Sequence, residues 1–468
     1  MTRDYSMAVE TDILERAEEL EGKTFLDIAG EDLSEDINFV NKGNQGLFIE
    51  KFGFGISSNN DKDPDFKHAG IELKVCPLKF SKKQLVVKER TKICSINYKE
   101  LIQENWLDSS ARKKLRKILF VFYHWNNNSW NSQKIIKTVL WHLESDEVLI
   151  SNEWRSTKEV VKQGNAHLLS ESWYKALAPN TSGAGGDRDN VEQPIQIHSK
   201  YARRRAFSLK RPFVNQYWES LVSPDSFESI QENLNLSHED NIEDKLLELF
   251  RPFINRPLGQ ICKELNIELR NAKNATNLII KKILRFRSFS SKIKEFEQSG
   301  IKIKTVPVNK DIGYKPYEAT SFPVVKFNEL IQDEDYYNSA LSEQLMRILF
   351  VPIHREKRDT PLADAILLNP FFWSPDEKQE TIIKEEWGNA ISIIKEGIEI
   401  KRVRWGNGFR ETNNLPKSSE TQILHMRPHA QNSQDRDVDP NGVSITKQSF
   451  WLNMSFVHSI ISKSMRDI

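Results

Sequence analysis

Asp65, Glu72 and Lys74 form the pattern in this chain best suited to do chemistry. They sit in Pro64-Asp65-Phe66, three further residues, then Gly70-Ile71-Glu72-Leu73-Lys74. If the second half is a strand, Glu72 and Lys74 point to one side and Leu73 to the other. A turn through Gly70 can return Asp65 to the side of Glu72. Two converging carboxylates, helped by the Leu73 carbonyl, make a hard oxygen site suited to Mg²⁺. Such an ion acidifies a bound water and polarises a phosphate oxygen. Lys74, with an ordinary pKa of about 10.4, stays charged, and its role is to orient the water and stabilise the charge that grows on phosphorus. An isolated Asp-x6-Glu-x-Lys match, however, is more often a set of surface charges on an edge strand.

The elements that must hold these residues occur twice. Leu115-Arg-Lys-Ile-Leu-Phe-Val-Phe-Tyr-His124 matches Leu345-Met-Arg-Ile-Leu-Phe-Val-Pro-Ile-His354, and Tyr98-Lys-Glu-Leu-Ile-Gln103 matches Phe327-Asn-Glu-Leu-Ile-Gln332. Phe207-Ser-Leu-Lys-Arg-Pro-Phe-Val214 matches Phe450-Trp-Leu-Asn-Met-Ser-Phe-Val457, and 65–74 matches 295–304. Four matches in one order, about 230 residues apart, are too widely spaced for a solenoid and fit two tandem globular domains. The expected division is 1–222, a polar linker 223–244, and 245–468. Residues 70–77 read as a strand ended by Pro77, and 118–125 as a buried strand. Residues 12–20, 45–52, 246–253 and 261–269 have helical spacing. Strands mixed with helices in each copy imply an α/β fold, each domain a mixed β-sheet flanked by helices.

Composition narrows the function classes. A chain of 468 residues with 38% hydrophobic content can bury two cores. No apolar run reaches membrane-spanning length and no apolar signal segment opens the chain, so a cytoplasmic protein with no membrane partner is expected. Cys76, Cys94 and Cys262 have no metal-ligand spacing and read as reduced thiols. Gly183-Ala-Gly-Gly-Asp-Arg188 lacks the Gly-Lys-Ser/Thr ending of a phosphate loop. His425 and His429 lack the further ligands of a zinc site. The net charge is only +1, so attraction to nucleic acid must be local. Candidates for phosphate contact are the run Lys200, Arg203, Arg204, Arg205, Lys210, Arg211 and the basic stretch 111–117; a solvated face is the alternative for both.

Lys42-Gly-Asn-Gln-Gly-Leu-Phe-Ile-Glu50 followed by Pro64-Asp65 through Pro77 resembles the MutH mismatch-repair nicking endonucleases. It also resembles the Sau-three-AI type of restriction endonuclease, both within the PD-(D/E)xK superfamily. The restriction type carries a second MutH-like domain, so the resemblance covers nearly the whole chain. It implies two tandem MutH-like domains, a catalytic set of Glu50, Asp65, Glu72 and Lys74, and Mg²⁺ on Asp65 and Glu72. The family's base-reading loop, Arg-Pro-Lys-Ala-x-Asn, falls on Arg427, Pro428 and His429 in the second domain. In the first domain it falls on the segment around Pro179, with no leading Arg. Within the chain, Glu50, Asp65, Glu72 and Lys74 align with Lys281, Glu295, Lys302 and Lys304. Three ammonium groups in one pocket repel divalent ions, yet Lys302 and Lys304 can receive phosphate.

The resemblance implies a Mg²⁺-dependent type II restriction endonuclease acting on double-stranded DNA, at GATC. One active site per chain implies self-association on DNA, and the second domain is expected to bind another site as effector. The alternatives are a strand-specific nicking repair endonuclease and a non-catalytic GATC-binding regulator.

Overall fold

The computed structural model describes residues 3–466 except 31–43, 57–61, 82–83, 127–129, 184–186, 225–226, 237–239, 269–274, 288–291, 334, 407 and 433. Lys42 and Gly43 of the quoted motif, half of the 183–188 loop and Leu269 thus lie outside the described residues. The chain forms two compact units, Met1–Pro224 and Asp225–Ile468. No helix among the described residues is long and apolar enough to cross a membrane.

The first unit contains β1 (Glu72–Ser81), β2 (Gln84–Val87), β3 (Thr91–Ser95), β4 (Lys117–His124), β5 (Lys134–His142), β6 (Leu177–Thr181), β7 (Asn190–Glu192), β8 (Tyr201–Arg203) and β9 (Arg205–Leu209). One sheet runs β2-β1-β4-β5, with β1 and β4 parallel, and a second runs β3-β9-β6. β4 is apolar at nearly every position because both of its faces are covered. Ile118, Phe120 and Phe122 enter one core, while Leu119, Val121 and Tyr123 enter another. The second of these cores takes Ile13, Ala17 and Leu20 from helix α1 (Glu10–Leu20). Helix α2 (Ser110–Leu115) sinks Ala111 and Leu115 into the first, which also receives Cys76 and Leu78 of β1. Glu72 and Lys74 share the face of Cys76 and Leu78 by strand alternation, so α2 lies on their side.

The second unit repeats this plan. Its strands are β10 (Phe227–Glu228), β11 (Lys292–Ile293), β12 (Ile301–Asn309), β13 (Lys315–Pro316), β14 (Thr320–Val324), β15 (Arg347–His354), β16 (Ile366–Leu367), β17 (Phe371–Trp373), β18 (Ile400–Trp405), β19 (Gly408–Asn413), β20 (Leu424–Pro428), β21 (Arg436–Val438), β22 (Ser444–Thr446) and β23 (Gln448–Leu452). β12 pairs in parallel with β15, and β14-β23-β20 repeats β3-β9-β6. The registers coincide: Glu72 is opposite Ile118 and Lys74 opposite Phe120, while Lys302 is opposite Ile348 and Lys304 opposite Phe350. β15 again divides its apolar residues between two cores. The second unit adds a hairpin, β18–β19, that has no counterpart among the described residues of the first.

Four expected boundaries shift. β1 runs past Pro77 to Ser81, because pairing with β2 begins only at Leu78 and the Pro77 carbonyl still accepts from Lys88 N at 2.8 Å. The helix expected over 261–269 is Leu258–Glu264; Asn266 turns left-handed at φ 53° and Ile267 N closes back on the Cys262 carbonyl. Residues 45–52 form a short helix, Asn44–Phe48, that widens into a π-turn at Ile49–Gly53. The stretch 223–244 is no bare linker: β10 pairs with β11 and Ile230 is buried in the core of the second unit.

Candidate active site

Gly70 makes the turn that assembles the site. At φ +65° it occupies a conformation costly for other residues. Phe66 and Ile71 then exchange backbone hydrogen bonds of 2.9 and 3.3 Å. Asp65 is thereby folded back until its Oδ2 accepts from Leu73 N at 2.9 Å. Glu72, only 1% exposed, takes Lys74 Nζ at 2.7 Å on Oε1. A second ammonium reaches both of its oxygens: Lys114 Nζ lies 3.1 and 3.2 Å away. Lys114 comes from α2, whose buried Ala111 and Leu115 hold it over the strand face bearing Glu72. Glu50 adds a third carboxylate from the π-turn, a local widening that recurs at functional sites.

The charges act on one another. Burial and the neighbouring Asp65 and Glu72 raise the pKa of Glu50, although Lys74 and Lys114 pull against them. Asp65 is also raised, by burial first and then by Glu72, against Lys74, the Leu73 N–H and Lys114. For Lys74 burial opposes the charge, but Glu72, Asp65 and Glu50 outweigh it and raise its pKa. The ammonium is therefore held charged. Among the described residues no three His, Cys, Asp or Glu side chains gather as a ready metal site. The donor set still fits Mg²⁺, which needs only one or two protein carboxylates beside water and phosphate. Asp65 and Glu72 would be such donors, and a cation there would offset the cost that burial first, and neighbouring carboxylates second, place on ionised Asp65 and Glu50.

The equivalent place in the second unit is built differently. Lys302 occupies the position of Glu72 and meets Glu297 at 3.5 Å. Lys304 donates to the Ser321 carbonyl at 2.6 Å and lies 4.6 Å from the centre of the Phe322 ring. Burial, then Lys302, lowers its pKa to about 8. Glu295 does not stand in for Asp65: it is buried at the start of a helix, Lys294–Ser299, where it accepts from Ser229 Oγ, Ile230 N and Gln231 N. Lys281 lies against the Phe286 ring and is not among the charges that perturb Lys304. Of the three lysines expected there, Lys302 acts on Lys304. The counterpart of Lys114 is Gln344, on the helix Ala340–Leu345.

The DNA-contact residues expected from sequence divide. Arg203 and Arg204 are exposed. Arg205, Lys210 and Arg211 are buried and donate inward, to the carbonyls of Pro179 and Leu169, of Glu171 and Tyr174, and of Val87 respectively. The idea that the whole run faces phosphate is corrected accordingly: Arg205 at the start of β9, and Lys210 and Arg211 just past its end, brace the fold. Pro179 is also buried, and the strand register moves its equivalence. Pro179 lies opposite Phe207, the place that Met426 takes opposite Phe450, so Arg427 corresponds to Asn180. Asn180 is 2% exposed, and neither amide atom has a partner among the described residues. Arg427, Pro428 and His429 are exposed, with Arg427 and His429 both against the Trp451 ring, at 4.6 and 5.2 Å. Lys92, Lys99, Lys114 and Arg204 help line a cleft of about 800 Å³ in the first unit. Lys114 belongs to the basic stretch 111–117 expected to meet phosphate, but the sequence reading did not place it beside Glu72; the one available signal was that its repeat partner loses charge where Glu72 becomes lysine.

Comparison with known proteins agrees with this duplication. A family model described as DNA mismatch repair enzyme MutH matches twice, at residues 54–153 and 284–386. The type II restriction enzyme Sau3AI of Staphylococcus aureus is 30% identical over 94% of this chain and 96% of its own. The DNA mismatch repair protein MutH of Actinobacillus pleuropneumoniae is 26% identical over 50% of this chain and 99% of its own. MutH of Shewanella woodyi is 27% identical over 36% of this chain and 68% of its own.

Proposed function

Since the chain belongs to the Sau3AI family of type II restriction enzymes and is a site-specific deoxyribonuclease, we propose that its first unit cuts both strands of duplex DNA at GATC with Mg²⁺, and that its second unit binds a further site-bearing duplex as effector. The observation that carries this reading is the charge contrast at one strand position, Glu72 against Lys302 in identical register. Asp65 and Glu72, with Glu50 behind them, would hold the ion. Bound there, it supplies a more acidic water and neutralises charge on the phosphate. Lys74 and Lys114 flank Glu72 from strand and helix. Their ammonium groups bind the non-bridging oxygens and stabilise the charge that develops as water adds to phosphorus and the ester oxygen leaves. Arg204, Lys92 and Lys99 steer the flanking backbone into the cleft.

In the second unit Lys302 and Lys304 offer ammonium groups to phosphate where, among the described residues, no carboxylate pair stands to retain a cation, and the exposed Arg427 and His429 face the bases. One cutting site per chain means that two chains meet on one recognition site. A strand-nicking repair enzyme is disfavoured, because the MutH relative matched over 99% of its length spans half of this chain. A regulator that only binds is disfavoured by the buried acids beside phosphate-binding lysines, which cost affinity unless a cation joins them. A cytoplasmic location follows from this activity.

Digestion of a sequenced plasmid with Mg²⁺ or with EDTA, followed by sequencing of the ends, tests the reading. GATC-centred double-strand ends only with Mg²⁺ are expected. Nicked circles alone, or ends unrelated to GATC, would overturn it. Equal rates on one-site and many-site plasmids would remove the effector role.

A further inference from the structure

Both units hold the start of their β6-type strand by the same device, and the device lies outside the catalytic cluster. In the first unit Glu153 projects from helix α3 (Glu147–Lys162) and is 9% exposed. Its carboxylate accepts from three consecutive backbone amides, Lys175, Ala176 (3.0 Å) and Leu177 (2.6 Å). Lys210 closes the segment from the other side: its Nζ donates to the Tyr174 carbonyl at 2.6 Å, and its backbone N to the Ala176 carbonyl at 2.8 Å.

The second unit repeats every part. Glu386, on helix α4 (Glu377–Glu396), accepts from Gln422 N at 2.5 Å, Ile423 N at 3.2 Å and Leu424 N at 2.7 Å. Asn453, in the place of Lys210, donates Nδ2 to the Thr421 carbonyl at 2.8 Å and its backbone N to the Ile423 carbonyl at 2.7 Å.

The chain that leads into these clamps is not alike. Residues 163–176 reach the first through short helical turns, whereas 397–423, nearly twice as long, reach the second by way of the β18–β19 hairpin. Different approaches therefore converge on one arrangement of amides. Three successive N–H groups aimed at one carboxylate are not a strand, whose amides alternate in direction. The carboxylate thus fixes the residue at which β6 or β20 begins. What the clamp delivers is shared by both units, and cutting is not shared, since the second unit lacks the acids. The segments it feeds end at Asn180–Ser182 and at Arg427–His429, equivalent by register.

We infer that Glu153, like Glu386 in the second unit, is a positioning residue for sequence discrimination: by seating the first residues of the strand it sets where the following side chains meet the base edges. The inference rests on the proposed role of this segment in reading DNA. A slip of one residue would exchange the two faces of the strand, so loss of the clamp degrades choice of site before it degrades hydrolysis.

The test compares the full-length enzyme with Glu153→Gln and with Val161→Ala, a buried residue of the same helix whose side chain makes none of the clamp's hydrogen bonds. Glutamine is similar in shape but offers one acceptor oxygen, and turns an NH₂ toward the amides. Each protein is assayed with Mg²⁺ on duplexes carrying the cleaved sequence or a one-base variant, alongside thermal melting. Glu153→Gln is expected to lower the cognate-to-variant ratio of kcat/KM about tenfold, the loss of one good base contact. The cognate effect should lie mainly in KM. Val161→Ala should lower the Tm without changing the ratio. If Glu153→Gln lowers cognate and variant cleavage in equal proportion, or matches Val161→Ala at equal Tm loss, the positioning role is wrong and the proposed function stands. A wild-type enzyme with no preference among sequences would instead overturn the functional reading, and this inference with it.

Discussion

β1 and β12 are the same strand with opposite chemistry. Their neighbours, registers and two-faced cores coincide. Glu72 nevertheless sits between two ammonium groups, whereas Lys302 has one acid at 3.5 Å and a second lysine beside it. Two side-chain exchanges account for most of this, Glu72 for Lys302 and Lys114 for Gln344. The third change is conformational. A glycine turn aims Asp65 at β1, while a helix carries Glu295 off to cap Ile230–Asn233. The cores and the clamp are thus retained in both units and the acids in one, which under the proposed function separates holding DNA from breaking it.

Erasing the contrast at its centre has the largest expected effect. Glu72→Ala should lower cleavage by about 10³-fold or more while gel-shift binding persists; full cleavage by this variant would remove the site assignment. Lys114→Ala makes the first unit resemble the second at its helix, and a loss of about 10²-fold in single-turnover rate is expected. A wild-type rate would make Lys114 a mere counter-ion of Glu72. Acidification works on Asp65 and Glu50. Their pKa values are raised in the metal-free protein and their ionised forms are the working ones, so at limiting Mg²⁺ cleavage should fall as pH drops through the raised values, by up to about tenfold per pH unit for each acid. That acid limb should begin above the ordinary carboxylate range. Stability runs the other way. A folded pKa above the unfolded one contributes stability at low pH that is lost as pH rises through the folded value. Metal-free Asp65→Asn is therefore expected to melt a few degrees above wild type at pH 7 while failing to cut. A lower Tm would show that the acid is a net stabiliser.

The sequence revealed the duplication, the α/β character and the Asp65-Glu72-Lys74 frame, because each rests on local spacing or on a repeat. It left two kinds of feature hidden. One is tertiary delivery: Lys114 lies 42 residues from Glu72 and joins it only because α2 packs Ala111 and Leu115 beneath the strand. The other is burial. Charge alone cannot separate Arg204, which is exposed, from Arg205, which crosses the interior to the carbonyls of Pro179 and Leu169. Proline matching misled for a related reason: Pro179 and Pro428 look equivalent in sequence, but strand pairing places Asn180, not Pro179, opposite the role of Arg427.

The smallest effect falls on the second unit, and it isolates that unit from the first. Lys304 has its pKa lowered to about 8, by burial and then by Lys302, whereas Lys74 is raised. Between pH 7 and pH 9 the first ammonium is lost from the free protein and the second is retained. If Lys304 receives phosphate, binding of the second duplex should weaken a few-fold across that interval, as binding becomes linked to proton uptake. Cleavage chemistry at the first unit, read under single turnover with saturating DNA, should not show the same inflection. Lys304→Arg keeps its charge at every pH in the range and should flatten the profile, which separates titration of this residue from a general effect of alkaline buffer. A profile that stays steep in Lys304→Arg would place the alkaline sensitivity elsewhere, and one already flat in the wild type would mean that phosphate never meets Lys304. In either case the titration of Lys304 would have no part in binding the second duplex.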